Sequence, residues 1–245
     1  MAGATGAVGQ HVVTELEAQG HEVVPLSRST GVDLLEPEGL AERLAGTDAV
    51  VDCSGVATGR GSTSVRFFSR VTDNLLRAER DAGVGHHVLL SIVGIDAAPT
   101  GYYRGKITQE QVARASGQPV TILRATQFHE FPGQWLDRAQ VGPFVPVPRM
   151  QSAPVAASEV GAALAELATS PAQAKTLEMG GPEPFQLVDL VTQAAIDRGA
   201  RARVVPVRVP GSAGRAMRRG ALVAAAPWRT GKQSYGDWRK ARGLS

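Results

Sequence analysis

Tyr102 and Lys106 have the residue types and spacing of a proton relay. Residues four apart share one face of a helix. A lysine ammonium beside a phenol favours the phenolate, which makes the tyrosine a better proton donor and acceptor. Ser91 ends an apolar run eleven positions before Tyr102, where its hydroxyl would orient a carbonyl group. We expect these three residues to be catalytic. The alternatives are that Tyr103 is the inward ring and that Ser91 only satisfies the end of a strand.

A glycine loop at the start of the chain has the form of a phosphate-binding turn. Its glycines are spaced G-x-x-G-x-x-G and open into a helix with one apolar residue per turn. Converging N–H groups and the positive end of the helix dipole favour a pyrophosphate, and glycine lets it approach the backbone. Similar turns also occur without a ligand. The residues expected to bind it are Gly3, Thr5, Gly6, Ala7, Val8 and Gly9.

Apolar runs of strand length alternate with helical patterns along the first half of the chain. The predicted strands are residues 21–26, 49–53, 87–91 and 120–124, and the predicted helices are 10–16, 37–45, 64–82 and 106–116. This alternation predicts an α/β fold with a doubly wound parallel sheet. Only Met1 and Ala2 precede the glycine loop, so we expect the first strand to be truncated to a stub. We hypothesise that the natural start of the chain lies upstream of Met1.

The pattern changes after Arg124. Prolines interrupt residues 131–155, which we expect to be irregular, and further elements are predicted as helices at 158–169 and 187–197 and strands at 177–179 and 203–207. Ligands bind outside the carboxyl ends of the strands in open α/β sheets. We therefore expect a single domain in which residues 1–130 mainly bind a cofactor and residues 131–245 contribute a small substrate lobe.

Composition limits the classes of function. Of the 245 residues, 43% are hydrophobic and 20% are charged, which is ordinary for a globular protein. The single cysteine, Cys53, excludes a disulfide framework and suits the cytoplasm, and no apolar run is long enough to span a membrane.

The charge is unevenly distributed, because residues 198–245 contain 12 Lys and Arg residues but one acid. We favour a basic segment that lies on the acidic remainder of its own fold or of a second subunit. A protein partner is the alternative, and the lack of interleaved aromatic residues disfavours nucleic acid.

The residues after the second predicted strand bear on which dinucleotide would bind. A carboxylate there accepts from the ribose hydroxyls of NAD, whereas an arginine favours the 2′-phosphate of NADP. The chain has Ser27-Arg28-Ser29 at this place, followed by Asp33 and Leu34, where Asp33 would face the adenine amino group. We therefore predict NADP(H) over NAD(H). The alternatives are a solvated loop charge for Arg28 and a turn-capping role for Asp33.

The ordered set of glycine loop, strand-end serine, Tyr-x-x-x-Lys and following strand resembles the short-chain dehydrogenase/reductase superfamily, in its atypical NmrA-like branch. The resemblance covers about the whole chain and is most specific in GATGAVG (3–9), LLSIVGID (89–96), YYRGK (102–106) and ILRATQFHEF (122–131). It implies a Rossmann core and a nicotinamide cofactor, with Lys106 on the nicotinamide ribose and Tyr102 as acid/base. It also implies that Cys53, Ser54 and Gly55 line the adenine ribose and that Ala125, Thr126, Gln127 and Phe128 cover the nicotinamide.

Members of this branch often lose the catalytic tyrosine, and some are redox-sensing regulators. Because the tyrosine is retained, we expect an NADPH-dependent oxidoreductase that acts on a small carbonyl- or quinone-like molecule. The alternatives are a non-catalytic NADP(H)-sensing protein and a nucleotide-sugar epimerase or dehydratase, which Ser27-Arg28 disfavours.

Five further residues have weaker or different claims. His129 and Trp135 are candidates for substrate contact, with loop packing and a plain core position as the alternatives. His86 and His87 are adjacent on a predicted strand and point to opposite faces, so no metal site is expected. Asn74, on a predicted helix, is expected to bond a neighbouring backbone carbonyl.

Overall fold

The computed structural model describes residues 1–244 and divides the chain into two compact units. The first unit comprises Met1–Ser91, Thr100–Arg124 and Ser158–Leu177. The second comprises Ile92–Pro99, Ala125–Ala157 and the segment from Glu178 onward. The units therefore interleave along the chain, and the expected roles of residues 1–130 and 131–245 stay predictions.

Helices and strands alternate through most of the described chain. The helices are α1 Gly9–Ala18, α2 Leu40–Leu44, α3 Gly61–Ala82, α4 Tyr102–Ala115, α5 Phe131–Ala139, α6 Ala157–Ala168, α7 Leu187–Asp197, α8 Gly211–Arg218 and α9 Tyr235–Ala241. The strands are β1 Ala49–Asp52, β2 His86–Ile92, β3 Val120–Ala125, β4 Phe144–Pro148, β5 Gln151–Ser152, β6 Thr176–Gly180, β7 Phe185–Gln186, β8 Arg203–Val207 and β9 Arg229–Thr230.

The central sheet has five strands in the order β1-β2-β3-β6-β9. Strand β1 pairs with β2 in parallel, with Ala49 opposite His86, and β6 pairs with β9 in parallel, with Met179 opposite Arg229. Parallel strands need crossover connections, which the intervening helices supply. The predicted α/β fold with a parallel sheet is confirmed.

The first strand is a stub, as expected, and the second predicted strand is absent. Ala2 forms single parallel bridges to Leu26 and Asp52. Its N–H donates to the Val51 carbonyl at 2.9 Å, and its carbonyl accepts from the Cys53 N–H at 3.0 Å. The prediction of a strand at residues 21–26 was wrong, because in the described chain this segment forms a single bridge, between Leu26 and Ala2. The glycine loop therefore follows a single bridged residue.

Two pairs of helices pack closely within the first unit. Helices α3 and α4 approach closely, since a Cβ on Gly105 would lie 2.0 Å from Ser64 Oγ. Helix α6 packs against α1, where a Cβ on Gly161 would lie 2.5 Å from His11 Cβ. This close approach explains why residues 158–177 belong with the first unit although they lie within the stretch 131–245 that was expected to form the substrate lobe. One apolar core of the unit contains Ala2, Leu26, Val32, Leu34, Leu40, Leu44, Val50, Val71, Leu75, Ala78 and Val84.

The second unit has regular structure where the prolines predicted none. Helix α5 packs against α7, and β4 pairs with β8 in parallel, with Phe144 opposite Arg203. Pro132 occupies the first turn of α5, where no N–H is required, and Pro146 and Pro148 lie in a sheet of only two strands. The prolines are therefore compatible with the elements that contain them. In neither unit does the described chain include a helix with the length and apolarity to cross a membrane.

Candidate functional site

Gly3 and Gly9 allow the glycine loop to pack closely. Gly3 has φ +72°, and a Cβ there would lie 2.7 Å from the Cys53 carbonyl oxygen. A Cβ on Gly9 would lie 2.1 Å from the Gly3 carbonyl oxygen. Both neighbours are backbone atoms that cannot rotate away, so neither position has room for a side chain. The first and third glycines are therefore required by packing.

The middle of the glycine loop is open to solvent. Thr5, Gly6 and Ala7 are exposed, whereas the Val8 side chain is buried. Helix α1 begins at Gly9 with no side-chain cap from Val8 and no acidic residue in its first turn. The positive end of the helix dipole therefore meets an exposed turn whose central residue lacks a side chain, which suits a phosphate group. Val8 fits this site through its backbone alone, because its side chain belongs to the core.

The loop after Leu26 presents an arginine to solvent. Arg28 is exposed at the start of a 3-10 turn, Arg28–Thr30, which Ser27 caps. Asp33 is exposed, and its Oδ1 accepts from the Leu35 N–H at 3.0 Å, which is the turn-capping alternative.

Leu34 is buried in the apolar core, unlike the exposed Arg28 and Asp33. Its side chain is 9% exposed, and its carbonyl accepts from Asn74 Nδ2 at 3.0 Å. The hydrogen bond predicted for Asn74 is confirmed. The predicted cofactor contact of Leu34 is not available to its side chain, because that side chain packs against the apolar core of the first unit.

The loop after β1 reaches Tyr102. The Ser54 N–H donates to the Asp52 carboxylate at 2.8 Å, and within residues 1–244 the buried Ser54 hydroxyl has no hydrogen-bond partner. A Cβ on Gly55 would lie 3.5 Å from the Tyr102 hydroxyl oxygen. Burial, reinforced by the Asp52 carboxylate, raises the pKa of the Cys53 thiol well above its usual range. Cys53 is therefore protonated and is not a nucleophile.

Tyr102 is the first residue of α4 and is positioned by α3. Its carbonyl accepts from Ser64 Oγ at 2.9 Å. Its ring meets Phe68 edge-on, with 5.4 Å between the ring centroids. The contact with Gly55 and the contact with Phe68 together fix the phenol at the end of β1. This is the position that an acid/base group needs if a ligand lies over the glycine loop and the loop after β1.

Lys106 lies one helical turn beyond Tyr102, as the spacing predicts. It is 4% exposed, and its ammonium lies 4.7 Å from the centroid of the Phe68 ring. Nζ donates to the Leu90 carbonyl at 2.6 Å and to Gln109 Oε1. Burial lowers the pKa of Lys106 to about 8, while the charge of Asp52 acts in the opposite direction. The ammonium is therefore mostly charged at pH 7.

Gln109 and Asp52 are site residues that the sequence prediction missed. Both are fully buried, and Gln109 Nε2 donates to Asp52 Oδ2 at 2.8 Å. A chain of hydrogen bonds therefore runs from Lys106 through Gln109 and Asp52 to the Ser54 N–H. The signal in the sequence was an acid at the end of an otherwise apolar strand, because a buried charge requires a partner.

Ser91 is engaged by Glu110. Its hydroxyl donates to Glu110 Oε1 at 2.6 Å, and the residue is 2% exposed. Glu110 also accepts two hydrogen bonds from Arg124, at 2.8 and 2.7 Å, and one from Arg114 at 2.9 Å. Burial acts to raise the pKa of Glu110, but the hydrogen bonds from Arg124, Ser91 and Arg114 outweigh it and hold the pKa below its usual value. This geometry does not support Ser91 as a direct contact for a carbonyl substrate.

Residues 125–128, the predicted nicotinamide cover, lie in the second unit. Ala125 is buried there, and Phe128 is half-buried. Thr126 Oγ1 donates to the Ala153 carbonyl at 2.5 Å. Gln127 Oε1 accepts from Ser152 Oγ at 2.7 Å. The predicted role of these four residues at the cofactor stays a prediction.

His129 and Trp135 also belong to the second unit. His129 is fully buried, with its ring centroid 5.7 Å from that of Tyr235 and 5.6 Å from that of Trp238. Trp135 Nε1 donates to the Pro146 carbonyl at 3.0 Å. These contacts favour the packing alternative for His129.

The two adjacent histidines have separate partners. His86 Nε2 lies 2.9 Å from Thr121 Oγ1, and His87 Nδ1 lies 2.8 Å from Glu79 Oε1. Burial acts to lower the pKa of His87, but the charge and hydrogen bond of Glu79 outweigh it and raise the pKa. Among residues 1–244, no group of three or more His, Cys, Asp or Glu is arranged to hold a metal ion.

Comparison with known proteins identifies a family and several relatives. Residues 3–171 match a family model described as NAD(P)H-binding. A divinyl chlorophyllide a 8-vinyl-reductase from Zea mays is 29% identical over 174 residues, which are 58% of this chain and 43% of the relative. The chain thus spans about half the length of the curated relatives that it matches.

Solved structures of low sequence identity share the fold. The triphenylmethane reductase of a Citrobacter species, solved with NADP(H), has a TM-score of 0.67 at 21% identity, covering 100% of this chain and 95% of that one. An NADPH-dependent quinone oxidoreductase from Escherichia coli has a TM-score of 0.66 at 17% identity, covering 99% and 92%. These likenesses confirm the Rossmann-type architecture.

Proposed function

The chain belongs to the NAD(P)H-binding family, and on that premise we propose that it is an NADPH-dependent oxidoreductase that reduces a small carbonyl- or quinone-like molecule. The observation that carries the proposal is the placement of Tyr102, whose hydroxyl reaches Gly55 while Lys106 lies buried one turn along the same helix. A phenol beside the expected cofactor loops is the group that a reductase needs to deliver a proton. The names of the maize relative and the two solved neighbours are those of reductases or oxidoreductases, which supports the same class.

The first unit offers a cradle that fits the cofactor. Gly3, Gly6 and Gly9 would hold the pyrophosphate at the start of α1, and Ser54 would offer its unpartnered hydroxyl to the adenine ribose. Arg28 is exposed and has no acidic partner in the described part of the chain, so its guanidinium would bind the 2′-phosphate of NADP(H). The expected preference for NADP(H) rests on this residue.

The roles of the catalytic residues follow from their chemistry. The bound nicotinamide supplies the hydride. Tyr102 donates its phenolic proton to the acceptor oxygen, and solvent then reprotonates the phenolate. Lys106, mostly charged at pH 7, stabilises the phenolate by its positive charge from the same face of α4. Ser91 acts indirectly, because its hydroxyl bond to Glu110 ties β2 to α4.

The proposal is tested by NADPH consumption with a panel of quinones, carbonyl compounds and triphenylmethane dyes. We expect Tyr102→Phe to lower kcat roughly 100-fold or more on an acceptor that the wild type reduces. Tyr103→Phe, the adjacent phenol, is the matched control and should keep activity within a few-fold. Full activity in Tyr102→Phe would refute the role of this residue. If the wild type turns over no acceptor in the panel, that result would count against the proposal that the protein is an oxidoreductase.

A cofactor-sensing binding protein is the second candidate. It is favoured by the sequestration of Lys106, whose ammonium donates to Leu90 and Gln109, and of Ser91, whose hydroxyl donates to Glu110. Such a protein would bind NADPH and NADP⁺ but consume neither in the presence of acceptors. A partner recovered equally with either redox form of the cofactor would contradict this candidate.

A further inference from the structure

The acids of the second unit pair with only part of the basic segment after residue 197. Arg198 bonds Asp137 at 2.5 Å, and Arg239 makes two hydrogen bonds to Asp197. These pairs explain Arg198, which precedes α8, and Arg239 on α9 as internal contacts. They leave Arg215 on α8 and Arg219 at its end to be explained.

A cleft of about 590 Å³ lies along α8. Ser212, Arg215, Ala216 and Arg219 line it from positions that recur with the period of a helix. Arg215 and Arg219 are exposed, and within the described residues neither side chain has an acceptor. A cleft of this size is typical of small-molecule sites.

Apolar residues form much of the remaining wall of the cleft, and this wall is closely packed. Val93, Ala221, Val223 and Ala225 contribute to its lining. Gly94 has φ +70°, and a Cβ there would lie 1.6 Å from the Ala221 carbonyl oxygen. The segments that carry Val93 and Ala221 therefore meet with no room for a methyl group, which makes this wall a fixed part of the structure.

We propose that this cleft binds an organic anion that has an apolar body and a single carboxylate or phosphate group. Arg215 and Arg219, four residues apart, form a pair of cations for the anionic group, while the apolar wall takes the body. Glu178 also lines the cleft, so its titratable side chains sum to one positive charge. That sum favours one anionic group and disfavours a polyanion such as nucleic acid.

Fluorescence titration with 1-pyrenebutyrate, in saturating NADP⁺ to keep the glycine loop filled, tests the proposal. We expect 1-pyrenebutyrate to bind at least tenfold more tightly than the neutral analogue 1-pyrenebutanol. Arg215→Gln and Arg219→Gln should each weaken butyrate binding roughly tenfold. Arg201→Gln, which removes an exposed arginine that does not line the cleft, should leave binding unchanged.

Two results would overturn the proposal. One is equal affinity for the acid and the alcohol. The other is equal loss of affinity in the Arg201 and Arg215 variants. Unchanged thermal unfolding of the three variants would show that these losses do not come from the fold. We also expect Glu178→Gln to tighten binding, because it removes the one negative charge in the lining.

The natural anion is either a substrate or a regulator, and kinetics separate the two. A probe that raises KM for the acceptor without changing kcat identifies the cleft as a substrate site, whereas one that changes kcat at saturating acceptor identifies a regulatory site. The binding titration requires no turnover. Failure of the proposed oxidoreductase function would therefore leave the cleft proposal standing, and failure of butyrate binding would leave the oxidoreductase proposal standing.

Discussion

The side-chain amide of Gln109 donates to the buried carboxylate of Asp52 at 2.8 Å, across 57 positions of sequence. Its oxygen accepts from the Lys106 ammonium. Because an ammonium can only donate and a carboxylate can only accept, the two charges fix the orientation of the amide. Gln109 thus couples the charge of Lys106 to the acid that also holds the Ser54 N–H.

Gln109→Leu should destabilise the fold by about 2–3 kcal/mol, because Lys106 and Asp52 each lose a hydrogen bond in a buried setting and keep only the bonds to the Leu90 carbonyl and the Ser54 N–H. Urea unfolding measures the change. Gln19→Leu, at the exposed end of α1, is the control and should change the unfolding free energy by less than about 0.5 kcal/mol. Similar losses in both variants would contradict the coupling.

Gly9→Ala should destabilise the protein by about 2–3 kcal/mol, since the added methyl would lie 2.1 Å from the Gly3 carbonyl oxygen. Thermal unfolding provides the measurement. Gly59→Ala is the matched control, because a Cβ at that exposed loop position meets no atom within 4 Å. A Gly9→Ala variant as stable as Gly59→Ala would show that the loop relaxes freely.

Local patterns predicted the elements that carry chemistry. The glycine spacing predicted both the turn and the start of α1, and the Tyr102–Lys106 spacing predicted a shared helix face, because each depends on residues within one or two turns. The predicted strand at residues 21–26 was wrong because a strand requires a paired neighbour, and within residues 1–244 this segment forms one bridge, between Leu26 and Ala2. Pairing across the sheet is not encoded in the segment itself.

The hydrogen-bond partners of the polar side chains could not be predicted from local sequence patterns. Ser91 and Glu110 are 19 positions apart, and Gln109 and Asp52 are 57 apart. These contacts exist because α4 packs against the ends of β1 and β2, a geometry that the fold determines. The sequence therefore indicated which residues are reactive types and left open which of them are already engaged.

Gly6→Ala should separate cofactor binding from folding. Gly6 is exposed, and a Cβ there would contact only the Gly3 carbonyl oxygen, at 3.2 Å. We expect the unfolding free energy to fall by less than about 1 kcal/mol, whereas the affinity for NADPH falls roughly tenfold because the methyl holds a phosphate off the backbone. Calorimetric titration measures the affinity. Wild-type affinity in this variant would place the phosphate elsewhere.

Ser91→Ala should behave as a structural change. The hydroxyl donates to Glu110, which keeps its bonds to Arg124 and Arg114 in the variant. We expect a loss of about 1 kcal/mol in stability and a kcat within about fivefold of wild type, well above that of Tyr102→Phe. Unfolding and steady-state kinetics on the same preparations give both values. A kcat as low as that of Tyr102→Phe, with unchanged stability, would restore the direct catalytic role first expected of Ser91.

Lys106→Met should change how stability depends on pH. Burial lowers the pKa of Lys106 from 10.5 to about 8, so between these values the unfolded chain binds more protons than the folded chain. The unfolding free energy contributed by this group therefore rises with pH across that window, and the full penalty applies below pH 8. Lys106→Met removes the cost of burying a charged ammonium, but it also removes two hydrogen bonds. We therefore expect the unfolding free energy of the variant to exceed that of the wild type by about 1–2 kcal/mol at pH 7, and this difference to disappear by pH 10. Urea unfolding from pH 7 to pH 10 measures it, with the exposed Lys175→Met as control. A difference between Lys106→Met and wild type that is constant over this range would show that Lys106 titrates as an ordinary lysine.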